Sequence, residues 1–321
     1  MRKILLAGLG GMGKVHYLNL RQLKDRAVVA AAVGKGQADR ETAGSYALPF
    51  YETMGEAFRD MPEIDLVDIT TPSFLHKDNV MEALSYGRDV ICEKPLALNS
   101  SDARMMFSAA REKKLKLLAA HVLRYTNEYN VLYRLVKGGE YGRVLDASFT
   151  RLSQVPSWAQ GGWLFDKSKS GLIPFDLHIH DLDMIIGLFG APVNVSSYAR
   201  RSKDREYDEY LHVIYEYNGF SVKAEAGWLN AAIPFTAVWR VVFEKAVAVN
   251  NGDEISVFTW DGKTITPDIS YEVTVSTGIN IPPTGWYYQE LKTLLDVLSS
   301  SQEAPVKEDE VLKELEILET L

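Results

Sequence analysis

The apolar run Ile4-Leu5-Leu6-Ala7 passes directly into Gly8-Leu9-Gly10-Gly11-Met12-Gly13, and this turn constrains the chain more than any other segment. A strand that ends on spaced glycines and restarts as a helix is the phosphate end of a dinucleotide-binding unit. The first glycine permits the tight bend, the second lets the backbone approach a pyrophosphate, and the third lets helix and strand pack closely. The phosphates then rest on unpaired helix-start N–H groups that carry partial positive charge, so no basic side chain is needed. A glycine turn alone is a weak signal, and context supplies the specificity. A helix predicted over Lys14–Leu23 and a second apolar strand over Ala27–Val33 complete a strand–helix–strand unit within about 30 residues. Gly8, Gly10, Gly11, Met12 and Gly13 are therefore candidate cofactor contacts.

A length of 321 residues accommodates two domains, taking about 100–200 residues for each. The formal net charge of -8 argues against a nucleic-acid partner, which requires Lys and Arg clustered on one face. No apolar run approaches the roughly 18 residues of a membrane span, so no membrane partner is expected. The apolar stretch behind Arg2 and Lys3 is short and breaks on glycine, which does not read as a signal peptide. With Cys92 as the single cysteine, a cytoplasmic location without disulfides is expected, and Cys92 reads as a small buried hydrophobe.

Strand and helix signals alternate through the first third of the chain, which predicts a parallel sheet covered on both faces. The strands are read at Ile4–Ala7, Val28–Val33, Leu66–Ile69, Val90–Glu93 and Leu115–Ala119. Helices are read at Lys14–Leu23, Met54–Arg59, His76–Tyr86 and Ser101–Lys113, the last capped by Ser100 or Ser101. Beyond a helix at Glu128–Lys137 the texture turns aromatic and β-branched with period-two alternation, at Val144–Leu152, Val193–Arg200, Glu209–Tyr217, Ser221–Gly227, Trp239–Ala248 and Ile255–Thr259. Turns at Asn218-Gly219, Asn251-Gly252 and Asp261-Gly262 separate several of these runs. The expected architecture is an α/β Rossmann domain with a parallel sheet over residues 1–120. An α+β domain with a large open, mostly antiparallel sheet follows over 121–321. The apolar pattern Val311, Leu312, Leu315, Ile317, Leu318, Leu321 predicts a closing amphipathic helix, which can pack back on the first domain.

Three segments add chemistry. Thr70-Thr71-Pro72 with His76 follows a buried strand, where the carboxyl end should face a ligand crevice. Glu93-Lys94-Pro95 follows another, and Pro95 keeps Lys94 out of the helical region and so at a strand terminus. A lysine beside a hydroxyl and a positive nicotinamide ring can have its pKa lowered for proton handling. A surface ion pair between Glu93 and Lys94 is the bland alternative. In Gly171–Asp183 a helix puts Asp176, His180 and Asp183 on one face and turns His178 away, which suits a carboxylate orienting an imidazole. An extended chain there would instead align Asp176, His178 and His180, and a metal site becomes thinkable. The continuing period of Leu182, Ile185, Ile186 and Phe189 favours the helix, and no metal is expected.

Taken together, the glycine turn, Thr71-Pro72 with His76, Glu93-Lys94-Pro95-Leu96, His121 with Arg124-Tyr125, the Asp176/His180 segment and the closing helices at Tyr287–Leu321 resemble the Gfo/Idh/MocA family of NAD(P)-dependent oxidoreductases. The resemblance spans nearly the whole chain. It implies hydride transfer between a nicotinamide and a hydroxyl or ketone carbon of a sugar, cyclitol or related polyol. Lys94, Asp176 and His180 match the family's catalytic residues: His180 as general base or acid, Lys94 on the reacting oxygen, and Asp176 as the orienting group. Thr71, Pro72, His76, Glu93 and Lys94 join the glycine turn as cofactor contacts, and a cis peptide bond before Pro95 is implied. A homodimer or homotetramer is expected on the same basis.

The chain departs from the pattern at the end of its second strand. Val33-Gly34-Lys35-Gly36 lacks the acidic residue that binds a ribose 2′-hydroxyl, so Lys35, with Arg40, is expected to hold a 2′-phosphate and to favour NADP, with NAD possible. His178 stands where many members carry glycine and is counted with Arg124, Tyr125 and Trp163 as a substrate contact; Trp158 is a further candidate. Other readings of the same residues are a glycoside hydrolase working through transient oxidation, and a nucleotide-binding regulator without turnover.

Overall fold

Arg2–Ala7 forms β1, an inner strand of a six-stranded sheet. The computed structural model describes residues 1–157, 160–278, 283–300 and 302–321, side chains at 160 and 161 excepted. Behind β1 come α1 (Gly11–Leu20), β2 (Ala27–Val33), α2 (Gln37–Ser45), β3 (Phe50–Tyr51), α3 (Met54–Asp60), β4 (Leu66–Ile69), α4 (His76–Ser85), β5 (Asp89–Glu93), α5 (Ser100–Lys113) and β6 (Leu117–Ala120). The sheet order is β3-β2-β1-β4-β5-β6, every pair parallel. Ile4, Leu5, Leu6, Leu66, Ile69, Val90 and Ile91 are wholly buried, as strands covered on both faces must be. Strand order reverses between β1 and β4, so their carboxyl ends bound the crevice where ligands of open α/β sheets bind.

α2 and β3 were not legible as elements: α2 buries only Ala43 and β3 has two residues, too little for a periodic signal. The cap of α5 also differs from expectation. Asn99, rather than Ser100 or Ser101, accepts the Asp102 N–H at 2.8 Å, because its side chain reaches the third residue of the helix from an extended backbone.

The second unit is built from α6 (Asn127–Gly138), β7 (Val144–Gln154), α7 (Lys167–Ser170), α8 (Ile179–Phe189) and β8–β14: Asn194–Arg200, Tyr210–Tyr217, Phe220–Leu229, Thr236–Phe243, Ala246–Asn250, Ile255–Thr259 and Thr264–Ile265. Its eight-stranded sheet runs β14-β13-β12-β11-β7-β10-β9-β8, antiparallel except for β7 beside β10. Alternation aims Leu211, Val213 and Tyr215 of β9, and Val222, Ala224, Ala226 and Trp228 of β10, into the core. The run read as one strand over Trp239–Ala248 is two, because Glu244 and Lys245 turn away and give their N–H groups to the Arg143 and Tyr141 carbonyls.

The chain then adds α9 (Trp286–Ser299) and α10 (Glu308–Leu318). α9 buries Leu291, Leu294 and Leu295 and packs on α1 and on the short turn Val122–Tyr125. The first unit therefore comprises Met1–Thr126 with Tyr271–Leu312, and the second Asn127–Ser270 with Lys313–Leu321. The first unit thus joins a segment from late in the chain to its N-terminal part; periodicity reveals that a helix has an apolar face but not which core receives it.

Candidate active site

In the first unit the glycine turn is shaped by contacts that no side chain could tolerate. Gly8 has φ +91°, and a Cβ there would stand 2.9 Å from the Thr71 N; a Cβ on Gly13 would stand 2.1 Å from the Gly8 carbonyl oxygen. Gly10 has nothing within 4 Å of its Cβ position, so its backbone can be approached. The Thr70 hydroxyl donates to the Ala7 and Gly8 carbonyls at 3.0 and 2.9 Å and ties the turn to β4. α1 starts at Gly11 with no capping side chain and no acidic residue in its first turn. The N–H groups and dipole of that helix end thus fit an anionic pyrophosphate.

At the carboxyl end of β4, Thr71 Oγ1 accepts from Asn79 at 2.9 Å, and Pro72 leads into a short turn. His76 does not face outward as a cofactor contact: it is 1% exposed, with Nδ1 2.7 Å from the Pro95 carbonyl and Nε2 2.8 Å from the Thr71 carbonyl. Burial lowers its pKa against the pull of both carbonyls. The ring fastens the Thr71 loop to the Lys94-Pro95 turn, whose peptide bond is cis.

At the end of β5, Glu93 is also occupied by protein. Its Oε1 meets His16 Nε2 at 3.0 Å and its Oε2 accepts the Lys94 N–H at 3.0 Å. His16 Nδ1 faces Asp68 at 2.9 Å, and His16 and Asp68 are wholly buried. Burial opposes a charge on His16, but Asp68 and then Glu93 outweigh it and raise the pKa well above the usual histidine value. Burial likewise opposes the Glu93 charge, and the His16 bond and charge, then Lys94, lower its pKa. Buried Cys92 is pushed up by burial and by these two carboxylates, consistent with an inert thiol.

The β2 end overturns the expectation that no carboxylate stands there. Asp39, in the first turn of α2, accepts the Lys35 N–H at 2.8 Å, and a Cβ on Gly34 would lie 2.5 Å from its Oδ2. Arg40 pairs with Glu52 at 2.9 Å and lies 4.7 Å over the Phe50 ring. Beyond β6, His121 is buried and its pKa falls to about 3, through burial first and then the Arg124 charge. Arg124, counted in sequence as a substrate contact, is buried and pairs with Glu310 at 2.8 Å, and Tyr125, counted with it, is buried too.

In the second unit Pro174–His178 is a π-helical turn running into α8. This excludes the extended arrangement and with it the metal set imagined there. Asp176 and His180 are half-buried, whereas Asp183 is buried. His178 points away from them: it is wholly inside, with Nε2 2.6 Å from the Tyr215 hydroxyl. Its assignment as a substrate contact is thereby corrected. Burial, then the Arg151 charge, lowers its pKa to about 3. Arg151 grips buried Asp181 through two bonds of 3.1 and 2.7 Å. Trp163 is half-buried in the turn Gln160–Phe165, and Trp158 lies outside the described residues.

Residues 2–121 match the family model described as an oxidoreductase family with an NAD-binding Rossmann fold, and residues 129–249 match the GFO/IDH/MocA C-terminal domain. The chain belongs to the GFO/IDH/MocA oxidoreductase family. Among relatives, glucose-6-phosphate 3-dehydrogenase of Bacillus subtilis is 27% identical over 66% of this chain and 63% of its own length. Levoglucosan dehydrogenase of Pseudarthrobacter phenanthrenivorans is 30% identical over 58% of this chain and 51% of its own. An uncharacterised oxidoreductase of Streptococcus pneumoniae is 34% identical over 40% of this chain and 35% of its own, so these matches span about a third to two thirds of the relatives' lengths. Among solved structures, an Agrobacterium radiobacter oxidoreductase in complex with NAD+, L-tartaric acid and magnesium superposes with TM-score 0.86 at 19% identity, covering 99% of this chain and 94% of that one. A levoglucosan dehydrogenase with NADH and levoglucosan superposes with TM-score 0.84 at 20% identity, covering 99% and 95%. These two show the same fold. Within that family frame, His16 and Asp68 are the residues that motif reading passed over. The available signal was Asp68 itself, a charge inside the otherwise apolar run Leu66–Ile69.

Proposed function

We propose that this protein is a nicotinamide-dependent dehydrogenase that interconverts a ring hydroxyl and ketone of a sugar or related polyol. The observation that carries the reading is Lys94 at the carboxyl end of β5, on the same sheet edge as a glycine turn shaped for a pyrophosphate. When bound, the nicotinamide supplies or accepts the hydride. His180 removes the hydroxyl proton in oxidation and returns it in reduction, Lys94 donates a hydrogen bond to the reacting oxygen, and Asp176 orients substrate or imidazole. Glucose-6-phosphate 3-dehydrogenase, levoglucosan dehydrogenase and trans-1,2-dihydrobenzene-1,2-diol dehydrogenase are relatives named for hydroxylated rings, which supports the substrate class. For the cofactor, Asp39 supports NAD ahead of the NADP expected from Lys35 and Arg40. The outer sheet face, with Ile214, Val238, Val242 and Val249 half-buried among polar neighbours, supports a homo-oligomer.

A panel of sugars and cyclitols, followed by NADH or NADPH absorbance, tests the reading. Turnover is expected, and Lys94→Met or His180→Ala should lower kcat by about 100-fold or more while the cofactor still binds. Release of a free sugar without net cofactor turnover would replace this reading with the hydrolytic one. Cofactor affinity with no turnover of any member would leave a nucleotide-binding regulator.

A further inference from the structure

His16 projects from the helix whose first residues form the glycine turn, and it bridges two other strand ends. Its Nδ1 is 2.9 and 3.0 Å from the two Asp68 oxygens on β4, and its Nε2 is 3.0 Å from Glu93 Oε1 on β5. Both partners are carboxylates, so each ring nitrogen donates and the imidazole carries two protons. The other Glu93 oxygen accepts the Lys94 N–H at 3.0 Å. The line α1–His16–Glu93–Lys94 thus runs from the phosphate end of the nucleotide unit to the lysine in three links.

A purely structural purpose is a poor explanation of this cluster. Burying an ion pair costs desolvation of several kcal/mol per ion, and apolar side chains of similar volume commonly give equal or greater stability. Other titratable or aromatic groups face His16 as well. Glu290 on α9 has a carboxylate oxygen within 4.8 Å of the His16 and Glu93 ligand atoms, and the Tyr287 ring centroid is 6.2 Å from the imidazole. Cys92 and Lys94 flank Glu93 in sequence. His16, Glu93 and Glu290 together have the composition of a cation site, but both His16 nitrogens already donate to carboxylates, and the imidazolium is the cation of the cluster.

The geometry points to His16 as a positioning residue: by holding Glu93, it fixes the Lys94 backbone relative to the helix that receives the cofactor phosphates. This rests on the dehydrogenase reading, in which Lys94 touches the reacting oxygen. Removing His16 leaves Glu93 free to rotate away from the Lys94 N–H, so the effect should fall on the chemical step. A displacement of about 1 Å at a reacting group costs on the order of 100-fold in rate.

The test is steady-state kinetics of the full-length protein and its His16→Gln and Asp68→Asn variants, with cofactor affinity measured by quenching of intrinsic fluorescence. For His16→Gln, kcat should fall about 10–100-fold while KM for cofactor and its dissociation constant stay within about threefold, a split that loss of a structural contact alone does not produce. For Asp68→Asn, which removes one of the two carboxylate charges beside the imidazolium and leaves Lys94 and Glu93 in place, kcat should be near wild type at low pH. It should decline as pH rises through a deprotonation that in wild type comes at higher pH, because Asp68 no longer helps to hold the imidazolium charge. Equal kcat and equal pH profiles in folded variants overturn the inference while leaving the dehydrogenase intact. Absence of turnover in the wild type overturns the dehydrogenase reading instead. The inference is then judged by the Lys94 amide resonance, which should shift on NADH addition in wild type and lose that response in His16→Gln. If His16→Gln does not fold, the Asp68→Asn pH profile and amide response decide alone.

Discussion

Replacing Asp39 by Asn changes one charge and almost nothing else. The amide oxygen can still accept the Lys35 N–H that the carboxylate now accepts at 2.8 Å, so the loop after β2 keeps its shape. On the proposed reading, a ribose 2′-hydroxyl held by this carboxylate would donate a charge-assisted bond worth about 1.5–3 kcal/mol, or about 1–2 after allowance for partial exposure. The 2′-phosphate of NADP would instead be repelled by it. Two unit charges 4 Å apart repel by about 4 kcal/mol at an effective dielectric of about 20, and salt reduces this further. Lost attraction and added repulsion together give about 2–4 kcal/mol, a preference for NAD over NADP of roughly 30- to 1000-fold.

Asp39→Asn should collapse that ratio by about tenfold or more, chiefly through better use of NADP. The assay is kcat/KM for both cofactors at low and high ionic strength. In wild type the preference should shrink with added salt, because its repulsive share is screened. A wild type that prefers NADP, or a ratio unmoved by Asp39→Asn, refutes the reasoning. Loss of NADP use by tenfold or more in Lys35→Ala would restore the view that Lys35 holds a 2′-phosphate, since about 1.4 kcal/mol matches one charged contact.

Gly13→Ala drives a methyl to 2.1 Å from the Gly8 carbonyl oxygen, a backbone atom that cannot swing aside as a side chain would, so the turn must open. Cofactor affinity should fall by about 10- to 100-fold, read by fluorescence titration, and wild-type affinity would show that the turn does not hold the pyrophosphate. Arg151→Ala strands buried Asp181, whose two bonds it removes; a loss of about 3–5 kcal/mol in urea denaturation is expected, and less than about 1 kcal/mol would mean water reaches the site. His121 and His178 titrate near 3 in the folded protein against an ordinary 6.5, so the unfolded chain binds more protons between those values. Their contribution is complete above 6.5 and is lost as pH falls towards 3, with a slope of up to about 1.4 kcal/mol per pH unit for each residue. His16, held above its ordinary value, acts in the opposite sense: its share is complete below 6.5 and fades as pH rises through its folded value. Urea midpoints that stay flat from neutral to mildly acid pH would contradict the first pair.

The parts of the fold that were legible in sequence are those where a long apolar period admits one reading. β1, β2, β4 and β5 hold short, mainly apolar runs bounded by glycine or polar turns, and α8 continues a helical period across Leu182, Ile185, Ile186 and Phe189. α2 and β3 lack such a pattern, and the split between β11 and β12 comes from a tertiary competition, Glu244 and Lys245 bonding outside the sheet. The site divides in the same way. The glycine turn and Lys94 can be read from local spacing, because their conformations are imposed by neighbours in sequence. Asp39 could not: it is four residues beyond Lys35 and comes back to the strand end only because α2 begins at Gln37. His16 could not either, since its partners are 52 and 77 residues away.

The ends of three adjacent parallel strands divide the work of this unit. β1 ends in the glycine turn, β4 carries Asp68 and leads into Thr70, and β5 ends in Glu93 and leads into Lys94. Parallel strands offer their carboxyl ends to one side, so residues remote in sequence become neighbours there without any loop having to deliver them. The cost is that polar groups at these ends are buried and must be matched. Thr70 matches the carbonyls of the glycine turn, His76 lies between the Thr71 and Pro95 carbonyls, and His16 takes both carboxylates. Each of these side chains joins a different pair of segments. The same bonds that satisfy buried polar atoms therefore fix the phosphate turn, the Thr71 loop and the Lys94 turn to one another. Residues that look like candidate ligands in sequence, His76 and Glu93, become internal ties for this reason, while backbone at Gly10 and the uncapped start of α1 stays open for the phosphates.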